Sequence, residues 1–283
     1  PAPPPPPPRP PRPPPPRRAP AARAPPHPPP APRGAARRRA HHRVAVGALA
    51  AKARDSAVDL FDVVLDPDSL DASSAAWASQ AASALRGASS GVDREASRYL
   101  GTWGREHGRS LGFARPALVN SSLDRQLMLS GPIRIKTLVG NGVDRSAAVA
   151  DARRRVGATA MKSVRDRDRL DIIYSCRKQR VRCRRVTVGK TCAFCCMLAA
   201  RGPVYTKDTA AFQAHVYCDC TYEPVDVPNA KWKASEASDH DLELVDLYDE
   251  AVASQKAAGA SGLSDLLARM RRSGSGLLSD GVS

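Results

Sequence analysis

Apolar residues recur at helical spacing along most of the chain after Val44. In VAVGALAAKARDSAVDLFDVVLD they fall three and four apart, so this stretch reads as one helix ending near Asp66-Pro67. Asp68 or Ser69 is placed to cap a second segment, SLDASSAAWASQAASALRG, and alanine-rich helix continues from Arg94 to Trp103. Trp77, Tyr99 and Trp103 have the spacing of one buried stripe, which is core rather than a ligand site. Pro116, Gly131-Pro132 and Gly140-Asn141-Gly142 then punctuate a connector with a short helix. Its apolar run, Ile133, Ile135, Leu138 and Val139, is expected to pack on the core. Asp144 can cap a long helix, DRSAAVADARRRVGATAMKSVRDRDRLDIIYSCRK, whose acids and bases alternate as on a solvated face.

The period then shortens. Arg182, Arg184 and Val186-Thr187-Val188 alternate as in a strand, and Phe194 to Arg201 reads as a short helix stopped by Gly202-Pro203. Pro203-Val204-Tyr205 and Cys220 to Val225 read as two further short strands. Beyond Pro228 an acidic, amphipathic helix pair suggests a peripheral appendage, with a frayed Gly/Ser-rich end after Arg272. The expected fold is mainly α with a small C-terminal α+β module stapled by a Cys/His knuckle. Four parts follow: a disordered tail at 1–43, a helical domain at 44–175, the Cys/His module at 176–228, and a helical tail at 229–283.

Charge changes this picture at the N-terminus. The chain of 283 residues carries +16 overall, and residues 1–43 supply ten arginines, no acid and 20 of the 26 prolines. Polyproline with arginine builds no core. It reads either as an arm that grips phosphates without reading sequence, or as a GC-rich frame translated upstream of a true start. On either reading its removal should leave the fold intact, and His41 and His42 receive no role. The remaining 240 residues hold only +6, a mildly basic body, and the overall charge suggests a polyanionic neighbour such as nucleic acid or an acidic protein surface. Residues 177–190 concentrate seven cations and no acid. Arg177, Lys178, Arg180, Arg182, Arg184 and Arg185 are candidates for nucleic-acid contact, with an exposed basic strand as the plainer alternative. No apolar run reaches the roughly 18 residues of a membrane span, and no h-region marks a secretory signal.

The candidate chemistry lies between Cys192 and Cys220, a stretch holding five of the seven cysteines and one of the six histidines. Cys192-x2-Cys195, with Cys196 adjacent, faces His215-x2-Cys218-x-Cys220. Thiolate and imidazole are the ligands of structural zinc, which takes four in a tetrahedron. Cys192, Cys195, His215, Cys218 and Cys220 are five candidates for four places. The alternatives are buried thiols with a satisfied histidine, or a Cys/His nucleophile and base. A crowd of thiols argues against the last. A zinc deaminase needs a glutamate two residues after its histidine, where this chain has Tyr217. Cys176 and Cys183 default to core or surface thiols.

RVTVGKTCAFCCMLAARGPVY, followed by HVYCDCTYEPV, resembles the minor head proteins of tailed phages that infect actinobacteria. These are related to the phage Mu F-like (MuF) head-morphogenesis family. The resemblance rests on Cys192 and Cys195, Gly202, His215, Cys218 and Cys220 and covers residues 180–228 closely. Tyr217 and Cys196 depart from the pattern without removing a ligand. The resemblance implies a structural minor capsid protein inside the phage head near the portal, made in the bacterial cytoplasm. Portal and capsid proteins are the implied partners, with packaged DNA as a further one. Some relatives carry a capsid-maturation protease, but nothing protease-like is present here. No catalysis and no small-molecule substrate are expected.

Overall fold

The computed structural model describes residues 33–115, 121–187, 189–204, 218, 220–226, 232–233, 237–274 and 276–280. Among the described residues the architecture is mainly helical with one small antiparallel sheet. In chain order the elements are α1 (Arg33–Val64), α2 (Leu70–Glu106), α3 (Ser121–Ser130), α4 (Pro132–Gly140), α5 (Arg145–Lys178), β1 (Arg182–Val186), α6 (Ala193–Ala200), β2 (Thr221–Val225), α7 (Asp239–Ala257) and α8 (Leu263–Ser273). At 1.5 Å per residue, α2 and α5 are each about 50 Å long, enough to serve two cores.

The first core packs α1, most of α2, α3, α4 and the N-terminal half of α5. It is alanine-rich, which lets the helices approach closely around a few large side chains. Trp77 is fully buried there, edge-on to Phe61 at 5.8 Å between ring centres. Asp144 caps α5 as its sequence predicts, its carboxylate accepting from Ser146 N and Ala147 N at 2.8 and 3.2 Å. Of the apolar run, Ile135 is buried and Leu138 and Val139 pack on the core, but Ile133 is 41% exposed because its helix turns it outward.

The second core joins Tyr99, Leu100 and Trp103 of α2 to the C-terminal half of α5, the sheet, α6, α7 and α8. The three-aromatic stripe is therefore split, with Trp77 in one core and Tyr99 and Trp103 in the other. β1 and β2 pair antiparallel in the register Arg182↔Val225, Arg184↔Glu223, Arg185↔Tyr222 and Val186↔Thr221. Pro203 and Val204 form no strand; Val204 N instead donates to Gly202 O at 2.9 Å in a tight turn, with Gly202 at φ 66. Tyr205 lies outside the described residues.

Three further sequence expectations are corrected. Helix α1 starts at Arg33, so residues 33–43 are folded, and Arg38, Arg39 and His42 are buried. The C-terminal helices are not an appendage, because Leu244, Leu247, Ala251, Leu266 and Met270 are core residues. The end of the chain is pinned beyond Arg272: Leu278 is buried, Thr191 N donates to Leu277 O at 3.0 Å, and Ser279 N donates to Thr191 O at 2.8 Å.

Candidate metal centre

α6 begins at the first cysteine pair. Cys192 is its N-cap, the Cys192 sulfur accepting from Cys195 N at 3.4 Å. Asp280 holds the same turn from the far end of the chain, accepting from Ala193 N at 2.9 Å. Cys218 and Cys220 lead into β2, which the sheet holds beside β1. The two clusters, distant in sequence, thereby meet.

Their sulfurs are in contact. Cys195 Sγ lies 3.3 Å from Cys218 Sγ and 3.4 Å from Cys220 Sγ, and Cys192 Sγ lies 3.6 Å from Cys218 Sγ. The Cys192, Cys195 and Cys218 sulfurs are all within 4.8 Å of one another, while Cys220 joins through Cys195. None of the seven cysteines forms a disulfide. Four tetrahedral zinc–sulfur bonds of about 2.3 Å would set sulfurs about 3.8 Å apart, so the donor set fits a thiophilic ion with small adjustment. His215 lies outside the described residues. Hydrogen bonds from Cys195 and Cys218 draw the Cys192 thiol down, whereas bonding to Cys192, Cys218 and Cys220 pushes Cys195 up.

The other thiols are set apart. Cys196 faces the second core, 4.0 Å from Leu244 O, where burial pushes it up to about 12. Cys176 and Cys183 are a buried pair in that core.

The basic strand is not what its composition suggested. Lys178, Arg180 and Arg182 are exposed and Arg177 is half-buried, but Arg184 and Arg185 are 1% and 0% exposed and cannot reach a nucleic acid. Successive strand residues point to opposite faces, which separates their tasks. Arg184 pairs with its cross-strand neighbour Glu223 at 2.9 Å and with Asp241 of α7 at 2.8 Å, and lies 4.9 Å over the Trp232 ring. Arg38 and Arg39 of α1 close on the same acids: Arg38 on Glu223 at 2.8 Å and Arg39 on Asp241 at 3.5 Å. Arg38 also pairs with Glu106. Despite its desolvation, these arginines hold the Glu223 carboxyl below its usual range. Arg185, on the other face, donates to the thiols.

The alternating charges of α5 are solvated in its N-terminal half, where Arg153, Arg154 and Arg155 are exposed, but Arg167, Asp168, Arg169 and Asp171 are buried. Arg167 pairs with Asp93 and Asp171 at 2.9 and 3.0 Å. Asp168 accepts from Thr221 Oγ1 and pairs with His42 Nε2, both at 2.9 Å. Arg169 Nε donates to Cys220 O and its Nη2 to Cys218 O, both at 2.8 Å, tying the second cysteine pair to α5. The missed signal was positional: 164, 168, 171/172 and 175 continue one helical stripe in which charged residues take core places. His42 sits between Glu95 at 3.0 Å and Asp168, stacked 4.2 Å from the Tyr99 ring. Burial alone would lower its pKa, but the two carboxylates prevail and raise it to about 9.

No helix among the described residues is long and apolar enough to cross a membrane. The profile of a family described as VG15 protein matches residues 34–251, which includes both cysteine pairs and the buried Arg38, Arg39 and His42. No curated protein and no solved structure matches the chain.

Proposed function

From the premise that the chain belongs to the VG15 family of phage proteins, we propose that it is a structural minor capsid protein of the MuF head-morphogenesis type, acting without catalysis. The observation that carries this reading is the meeting of Cys192-x2-Cys195 with Cys218-x-Cys220 on the end of a long helical body. The resemblance to MuF-type head proteins rests on the same residues. Zinc is the ion that this sulfur-rich set suits, and its role would be to supply folding energy. A body whose buried charges serve internal pairing, with cations left outside at Lys178, Arg180 and Arg182, suits a place inside a head, between portal and packaged DNA.

The test is co-purification from phage particles. The protein is expected in the virion at low copy number, and crosslinking should join it to the portal. A protein found only in the host cytoplasm, free of particles, would sink the proposal. A second reading, a zinc-knuckle nucleic-acid-binding protein with a basic arm, is favoured by the exposed cations at the α5–β1 corner. It requires DNA binding by residues 33–283 that weakens steeply with salt, by a log–log slope of about −0.9 per phosphate contact.

A further inference from the structure

Arg185 is a buried cation whose described hydrogen-bond partners are two sulfurs and a phenol. The side chain is fully buried, with Nη1 donating to Cys195 Sγ at 3.5 Å and Cys220 Sγ at 3.4 Å, and Nη2 to the Tyr222 hydroxyl at 3.0 Å. Among the described residues no carboxylate pairs with it, in contrast to Arg184 beside it. A guanidinium keeps its proton in proteins, and a buried charge left alone costs several kcal/mol. The phenol cannot answer it, since a tyrosine hydroxyl is neutral in its ordinary range and only accepts or donates a hydrogen bond. Neutral thiols are weak acceptors. Among the described groups within hydrogen-bond reach of Arg185, the sulfurs are the ones able to carry the balancing charge, as they do when thiolates bind a metal.

A second guanidinium converges on the same atom. Arg169 Nη2 lies 3.7 Å from Cys220 Sγ, while Nη1 pairs outward with Asp166 at 2.7 Å. Cys220 is thus the sulfur approached by two buried cations. Four thiolates on a divalent ion leave a net charge of −2, which two guanidiniums offset; three thiolates and an imidazole leave −1.

We infer that Cys220, rather than His215, is the fourth ligand of a tetrathiolate zinc site whose internal counter-ions are Arg185 and, in part, Arg169. This rests on the metal reading proposed above and adds the ligand set and the positioning residues. Arg185 acts through the sulfurs it bonds and not on the ion.

X-ray absorption of the zinc-loaded, full-length protein should count four sulfurs; three sulfurs and one nitrogen would overturn the inference. His215→Ala should retain one zinc per chain, and Cys220→Ser should lose it. The reverse pattern would overturn the assignment. Arg185→Gln should weaken zinc retention against a chelator by about 10–100-fold, the range for residues that support metal ligands, with Arg185→Lys recovering part of the loss. Unchanged retention in Arg185→Gln would overturn the counter-ion role. Zinc-free native protein would remove this inference together with the metal part of the proposed function. A four-sulfur zinc site in a protein absent from phage particles would instead remove the assembly role alone.

Discussion

The two cores of this molecule are made of opposite material. Around Trp77 the interior is alanine, leucine, isoleucine and valine, and apart from helix ends little polar chemistry is buried. Around Tyr222 the interior also holds three arginines of α1 and β1 neutralised by Glu223, Asp241 and Glu106, a histidine between two acids, and a knot of sulfurs. The first core tolerates small errors, because apolar burial is non-directional and each contact is worth little. The second does not, since each buried charge needs its own partner and removing one strands the others. A helical scaffold can rest on the first kind of core. A module of two short strands and one short helix needs the specificity of the second.

Metal removal should separate the two most sharply. Chelation, or Cys195→Ser, should unfold the sheet and α6 while the Trp77 core keeps its helical circular dichroism; structural zinc contributes on the order of 10 kcal/mol in small modules. A single melting transition, unshifted by chelator, would erase the contrast.

Glu223→Gln comes next. It leaves Arg38, Arg39 and Arg184 with one carboxylate fewer, and denaturant titration should show a loss of about 3–5 kcal/mol. Truncation at Val44, which the composition of the tail made look harmless, removes Arg38, Arg39 and His42 together and should cost at least as much.

His42 supplies the pH-dependent case. Its folded pKa of about 9 exceeds the unfolded value near 6.5, so its stabilisation is complete below pH 6.5 and is lost as pH rises toward 9. The full swing is about 3 kcal/mol, and His42→Gln should flatten the stability curve across that window. The groups facing the imidazole are Glu95, itself bonded to Arg98, Asp168, bonded to Thr221, and the Tyr99 ring. A slope that survives the substitution would place the titration elsewhere.

The smallest effect belongs to the apolar core. Ile135→Val should cost about 1 kcal/mol with no pH or metal dependence. A pH-dependent loss there would show that the two cores are coupled more tightly than their composition implies.

Read from residues alone, this chain announces most of its helices, the Asp144 cap, the strand at 182–186 and the cysteine pairs. Each of these signals is local: an apolar period, a capping carboxylate, a two-residue ligand spacing. The Arg-Asp run of α5 and the arginines of α1 and β1 look identical whether solvated or buried, because sequence shows a charge but not its partner. Those partners lie far along the chain, as Arg38 and Glu223 do, 185 residues apart. Only the packing of α1 and α5 across the sheet brings them together. It was tertiary structure, by excluding water from these charges, that turned an apparent surface into the interior holding the sulfurs in place.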